Sequence, residues 1–358
     1  VSTAPVSGEA ARRASNPAKF GAPAPLSAPR IAKINSLRSS DPHVLAAWNE
    51  MVGEYPLDRT PAGPINPFQI PNVYTDPTGN SAAIVKVRYD GIAALNFAIR
   101  YAISGDNAAA VAACNQIQPW TTITSFVIEA GTDTRLSWSY SWPLFLSAAM
   151  LVKDSPAYAA AGFDANLRAV TIEGRRTCST AFTNPSNQGA WGVVLEMSAA
   201  VFLGEQARFD RAVQRWREVF NEYIKNDLAV EEIYRQGGGQ GNGSSGRYYS
   251  DFMACALTYG AEWARLNGVW LYDHVSPDGS TLKGFAAKVA GWNADPASYP
   301  YNSSGTVSVP TELMGHWVIL NELWPDANKA AILASLPVVD RYGFRYLKVT
   351  HAKQPLRG

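Results

Sequence analysis

From Ser81 onward, apolar residues recur at intervals of three and four, the one-face spacing of an amphipathic helix. The pattern predicts helices over residues 81 to 104, 106 to 118, 135 to 153, 163 to 182, 188 to 204, 206 to 226, 247 to 267, 279 to 291 and 308 to 324. Many adjoin through short turns such as Ser104-Gly105-Asp106 and Gly204-Glu205. An earlier helix is predicted from Pro42 to Glu54. Asp41 caps it, Pro42 takes the first position, where a missing N–H costs nothing, and Val44, Leu45, Trp48 and Val52 form its buried stripe. Period-two alternation is scarce, with Phe344 to Val349 the best candidate for a short strand. Helices of this kind cannot each bury a face alone, so successive hairpins must stack into a solenoid or close into a ring. No fixed sequence period is visible, which argues against a regular repeat protein.

Two segments lack the pattern. Residues 1 to 40, rich in Ala, Pro and Ser, read as an extended N-terminal arm, leaving residues 41 to 358 as one large domain. Pro56 to Gly79 is dense in proline and without periodicity, as surface segments that line a site often are. A net charge of +1 offers no whole-protein field for a nucleic acid or a membrane surface, so any anion site must be local. No apolar run approaches the ~20 residues of a membrane span. Sixteen Tyr and eleven Trp suit stacking against sugar rings and suit core packing equally. Cys114, Cys178 and Cys255 allow at most one disulfide and lack zinc spacing; the scattered His43, His274, His316 and His351 suggest neither a metal site nor a His-based triad. No metal and no cofactor is expected.

Two stretches carry candidate chemistry. In the first, Gly237 to Gly246 form a glycine-rich loop that delivers Arg247, Tyr248 and Tyr249 to a helix start. Apolar residues then recur at Tyr249, Phe252, Met253, Ala256, Tyr259, Gly260 and Trp263. Tyr249 thus sits in the first turn of a core-facing stripe, where packing can hold its ring while its hydroxyl points toward the loop; an ordinary core tyrosine would look the same. Gly241 to Gly246 also fits G-x-G-x-x-G, but no buried strand precedes it, as a dinucleotide site would need. The second stretch is Asn184-Pro185-Ser186-Asn187-Gln188-Gly189-Ala190-Trp191. Asn187 is placed to cap the helix that follows; alternatively, amides at a helix N-terminus make a site for a carboxylate. Arg208, Arg211 and Arg215, at helical spacing, read as a solvated face.

Taken in order, Ala102-Ile103-Ser104-Gly105-Asp106, Pro119-Trp120, Asn187-Gln188-Gly189-Ala190-Trp191 and Tyr249 through Glu262-Trp263 resemble the alginate lyase superfamily of polysaccharide lyases. The resemblance implies an all-α fold, an incomplete (α/α) toroid of five to six helical hairpins open along a groove. It also implies a tyrosine, an asparagine, a histidine and an arginine as catalytic groups. The tyrosine falls on Tyr249, with Tyr248 one step away, and the amide on Asn187. Gln188 stands where the family has histidine, and Arg247 and Arg235 compete for the arginine.

Such chemistry suits β-elimination of a 4-linked uronate. The C5 proton is poorly acidic while the adjacent carboxylate is charged, so donors must neutralise that group, a role open to Asn187, Gln188 and an Arg. A tyrosine beside a guanidinium can take the proton as phenolate and return it to the leaving oxygen. Tyr248, Arg235, Trp191, Trp138 and His316 are the expected substrate contacts. The expected partner is an acidic polysaccharide, alginate first and glucuronan close behind, met by a monomer that is secreted or periplasmic. Two other readings stand beside this one. An inverting glycoside hydrolase on the same ring would need opposed carboxylates, with Asp133, Asp251 and Glu312 available. A non-catalytic carbohydrate-binding protein would be consistent with the missing histidine.

Overall fold

A computed structural model describes residues 20–23, 26–184, 186–301, 315–335 and 345–351. Asp41 caps as its position demands, its carboxylate accepting from the N–H groups of His43 at 2.8 Å and Val44 at 3.3 Å. The helix it opens, α2 (Pro42–Glu54), follows α1 (Ala28–Ser40). Within α2 Val44 and Met51 are buried, whereas Leu45 is exposed, so Met51 replaces it in the stripe.

Four helices form the middle of the molecule: α3 (Pro77–Ser104), α5 (Thr134–Val152), α8 (Asn187–Leu203) and α10 (Gly246–Leu266). They pack in succession, α3 against α5, α5 against α8 and α8 against α10. Each has a second-layer partner: α4 (Asn107–Ile117) on α3, α7 (Asp164–Cys178) on α5 and α8, α9 (Gln206–Tyr223) on α8, and α11 (Leu282–Ala294) on α10. The short α6 (Pro156–Ala161) lies between α5 and α7 in sequence. Burial separates the layers. In α8 nearly every side chain from Asn187 to Val201 is buried, whereas α9 buries only Phe209, Ala212, Val213, Trp216, Val219, Phe220 and Tyr223, a single stripe. Helices α12 (His316–Leu323), α13 (Ala327–Ser335) and α14 (Arg345–His351) complete the described chain, α14 packing on both α12 and α2. The strands are two-residue hairpin arms: β1 (Ile224–Lys225) with β2 (Leu228–Ala229), and β3 (Arg235–Gln236) with β4 (Gly239–Gln240).

Two expectations are corrected. The segment from Phe344 to Val349 is not a strand; residues 345–351 are helical, with Phe344 outside the described residues. Six residues of mixed polarity hold too few turns to tell the two periods apart, and Leu347, Val349, Thr350 and His351 are all buried by packing. His351 also bonds Glu262 of α10 at 2.6 Å, and Arg265 and Tyr272 donate to the same carboxylate. Burial opposes ionisation of Glu262, but Arg265 and His351 outweigh it and hold the carboxyl well below its usual range. The N-terminal arm is likewise not extended throughout, since α1 occupies residues 28–40 and buries Arg30 and Ile34. Pro29 sits in its first turn, where proline is tolerated, so the proline-rich composition concealed a helix. Residues 1–19 lie outside the described residues.

Among other features, Cys114, Cys178 and Cys255 are all buried. The row on α9 is less solvated than its spacing suggests. Arg208 pairs with Glu196, Arg211 lies 4.3 Å over Phe182, and Arg215 donates to the Ala181 carbonyl. No helix among the described residues is long and apolar enough to cross a membrane.

Candidate active site

The first turn of α10 and the hairpin before it are held together by a glycine. A Cβ added at Gly246 would lie 2.2 Å from the Ile233 carbonyl oxygen and 2.1 Å from the Tyr299 hydroxyl. Only glycine lets the hairpin approach the helix start so closely. That approach brings Arg235, on β3, over Tyr249, with the guanidinium carbon 4.5 Å from the ring centroid. The Tyr249 hydroxyl also meets the hydroxyl of Tyr74, which comes from the irregular segment 56–79. Burial pushes the Tyr74 phenol above its ordinary pKa, against the opposing influence of Arg235. Asp133 anchors that segment by accepting from the Val73 N–H at 2.8 Å and from Asn80 Nδ2 at 2.9 Å.

These residues line one side of a cleft of about 510 Å³. Its other side is the N-terminus of α8. The cap there is Ser186, not Asn187: its hydroxyl accepts from the Gln188 N–H at 3.3 Å, which frees the Asn187 side chain for other work. Asn187 is buried, and both its backbone N–H and its Nδ2 donate to Oε1 of Glu232, at 2.9 and 2.8 Å. Glu232 is itself buried, and burial pushes its carboxyl up against the effect of those two bonds. Its other oxygen stands 3.9 Å from Arg235 Nε, so one carboxylate lies between the amide and the arginine. Gln188 is half-buried on the cleft wall. Beneath, Arg88 donates to the Tyr140 hydroxyl at 3.0 Å and packs on its ring, and Tyr140 donates to Ser137.

Of the residues singled out from the sequence, Tyr249, Tyr248, Asn187, Gln188 and Arg235 therefore share one cleft. The remaining four do not. Arg247 turns into the protein, fully buried, and donates to the Trp292 carbonyl at 3.2 Å, because adjacent helical positions face different sides. Trp138 is fully buried, stacked on Trp142 at 4.0 Å and edge-on to Phe68 and Phe126. Loss of such a ring costs about 3–5 kcal/mol, a core role. Trp191 is buried among Tyr140, Phe252 and Tyr259 rather than on the cleft surface. His316 is fully buried, with Nε2 3.7 Å from Asp251.

The buried Asp251 gives a measurable consequence. It accepts from Asn293 at 2.7 Å and Trp317 at 3.1 Å, with Arg247 and His316 nearby, yet burial dominates and pushes its carboxyl up to about 8. A carboxyl with a raised folded-state pKa favours the native state at low pH. That contribution is complete below the unfolded value of about 3.9 and is lost as pH rises toward 8. Asp251→Asn, whose carbonyl can still accept from both donors, is expected to flatten the fall in melting temperature between pH 5 and 8. An unchanged slope would assign that fall to other groups.

Sequence reasoning missed Tyr74, Glu232, Arg88 and Tyr140. Only Tyr74 carried a signal, its place in a long aperiodic segment. Of the carboxylates considered for a hydrolase, Asp133 lines the cleft, Asp251 is fully buried and not part of the cleft lining, and Glu312 lies outside the described residues. Among the described residues no three His, Cys, Asp or Glu cluster as metal ligands would.

The alginate lyase family pattern matches residues 148–299, which include Asn187, Gln188, Arg235 and Tyr249. No curated protein sequence matches the chain. Among solved structures, an alginate lyase from Bacteroides ovatus superposes with a TM-score of 0.62 at 16% identity, covering 91% of this chain and 98% of the other. Alginate lyase A1-III from Sphingomonas species A1 gives 0.70 at 15% identity, covering 88% and 92%. A tyrosine-to-phenylalanine variant of A1-III complexed with a tetrasaccharide gives 0.71 at 16%, covering 92% and 95%. At these identities the structures establish the fold, and the family pattern runs through the cleft. The chain is thus similar to the alginate lyases in sequence over residues 148–299 and in fold over about nine-tenths of its length.

Proposed function

We propose that the cleft cleaves a 4-linked uronate polymer by β-elimination, with Tyr249 as both base and acid. The observation that carries this reading is convergence on one phenol: the Arg235 guanidinium lies over the Tyr249 ring and the Tyr74 hydroxyl meets its oxygen. Both favour a phenolate on Tyr249, one by charge and one by hydrogen bonding. With Tyr249 as the phenolate, Tyr74 is necessarily the donor of the pair.

Across the cleft, Asn187 has one amide hydrogen engaged by Glu232 and a second to offer, and Gln188 offers its own. Substrate carboxylate placed there gains hydrogen bonds that strengthen as negative charge moves onto it in the transition state. The Tyr249 phenolate takes the C5 proton, electrons from the C5–H bond form the C4–C5 double bond, and the C4–O4 bond breaks. Tyr249 then returns its proton to O4. Mannuronate-rich alginate and glucuronan are the substrates this arrangement suits, and enzymes acting on such polymers work outside the cytoplasm.

Product chemistry tests the reading. Purified protein incubated with polymannuronate, polyglucuronate and polyguluronate is expected to release unsaturated sugars that absorb in the ultraviolet. New reducing ends without that absorbance would mean hydrolysis, and neither would mean binding alone. Between the two competing arginines, geometry favours Arg235. Arg235→Ala is expected to lower kcat by about 10²–10³, the usual loss for a positioned charge-stabilising donor. It should also move the alkaline-going limb of the pH profile to higher pH. An unchanged profile would remove Arg235 from the proton transfer.

A further inference from the structure

The polarity of the amide at Gln188 is fixed by its neighbours. A backbone N–H can only donate, so the Asn184 side-chain atom facing the Ser186 N–H at 3.0 Å is its oxygen, which also accepts from the Ser186 hydroxyl at 2.8 Å. The Asn184 amine must then face Gln188, and it donates to Gln188 Oε1 at 3.1 Å. With its oxygen committed, Gln188 can present only its NH2 group elsewhere, and that group has no protein partner among the described residues on a wall of the cleft. The loop lies close against the helix. A Cβ at Gly189 would lie 1.7 Å from the Asn184 carbonyl oxygen, and Thr180 donates to the Gln188 carbonyl at 2.6 Å.

We infer that Asn184 is a positioning residue that sets Gln188 as a one-way donor to the substrate carboxylate, so that selection of uronates over uncharged sugars resides in the Asn184–Gln188 pair. The inference rests on the proposed function for the cleft. An unconstrained glutamine would turn either end to the ligand and discriminate poorly between a carboxylate and a hydroxymethyl group. Locked as a donor, it makes a charge-assisted bond to a carboxylate but only a weaker neutral one to a hydroxymethyl oxygen, and it cannot turn to accept from the hydroxyl hydrogen.

The test is a double-mutant cycle read by equilibrium binding of a mannuronate tetrasaccharide to protein carrying Tyr249→Phe, which stops turnover. Asn184→Asp keeps both acceptor bonds from Ser186 but turns an acceptor toward Gln188. The Gln188 amide must then reverse and present its oxygen to the cleft. Binding is expected to weaken about tenfold or more with Gln188 present and less than twofold in the Gln188→Ala background. Equal losses in both backgrounds would show simple charge repulsion and overturn the inference, as would no loss in either. Should Asn184→Asp fail to fold, Asn184→Ala in the same cycle should weaken binding about threefold only where Gln188 is present, and an equal loss without Gln188 overturns the inference. Ultraviolet-absorbing product from the wild type with no coupling in the cycle sinks this inference alone; failure to bind or cleave any uronate sinks the proposed function with it.

Discussion

Tyr249→Phe is expected to abolish turnover while leaving uronate oligosaccharide affinity within a few fold of wild type. The substitution deletes one oxygen, the atom that takes and returns the proton, and leaves the ring under Arg235 and beside Tyr248. A positioned general base contributes about 10²–10⁴ in rate, and here one group serves both transfers, so the loss should reach the limit of detection. Tyr248→Phe should do far less. Its ring packs edge-on to Tyr249 and offset over Phe252, a wall contact that the change retains. Rates near wild type for Tyr249→Phe together with a collapse for Tyr248→Phe would move the chemistry one residue toward the N-terminus.

Helix positions were legible because a 3.6-residue period sustained over many turns has few competing explanations. Asn187–Leu203 and Gly246–Leu266 lie within a residue of the predicted spans. The period failed where the segment was too short, at residues 345–351, or where the helix follows a proline-rich stretch, at 28–40. The site was legible in part for a different reason. Asn187, Gln188, Tyr248 and Tyr249 stand at two helix starts, where polar groups have a stated use. Burial was not legible: an aromatic ring or a histidine looks alike in a groove and in a core, so Trp138, Trp191 and His316 were misplaced. Arg247 was misplaced by adjacency, since neighbouring helical positions point apart. Tyr74, 175 residues from Tyr249, and Glu232, 45 from Asn187, meet their partners only through the tertiary fold.

The second large expected effect concerns substrate stereochemistry. In the family this chain resembles, a histidine at the position of Gln188 serves as a second base, from the face opposite the tyrosine. Glutamine cannot accept a proton at neutral pH, and here its oxygen already accepts from Asn184. Tyr249 should therefore work alone, removing the C5 proton and protonating O4 on the same face, a geometry that fits mannuronate and glucuronate but not guluronate. A missing general base costs about 10²–10⁴, so polyguluronate should be cleaved at least about a hundredfold more slowly than the better of the other two at matched chain length. None of the four histidines lines the cleft, and His351 is buried on Glu262. His316 is buried beside Asp251, and His274 bonds Asn221 at 2.8 Å with Trp216 and Phe220 edge-on to it. Initial rates on the three polymers decide the matter. Polyguluronate cleaved as fast as the others would end the single-base mechanism and turn attention to Asp133, a carboxylate that lines the cleft with its pKa raised by burial.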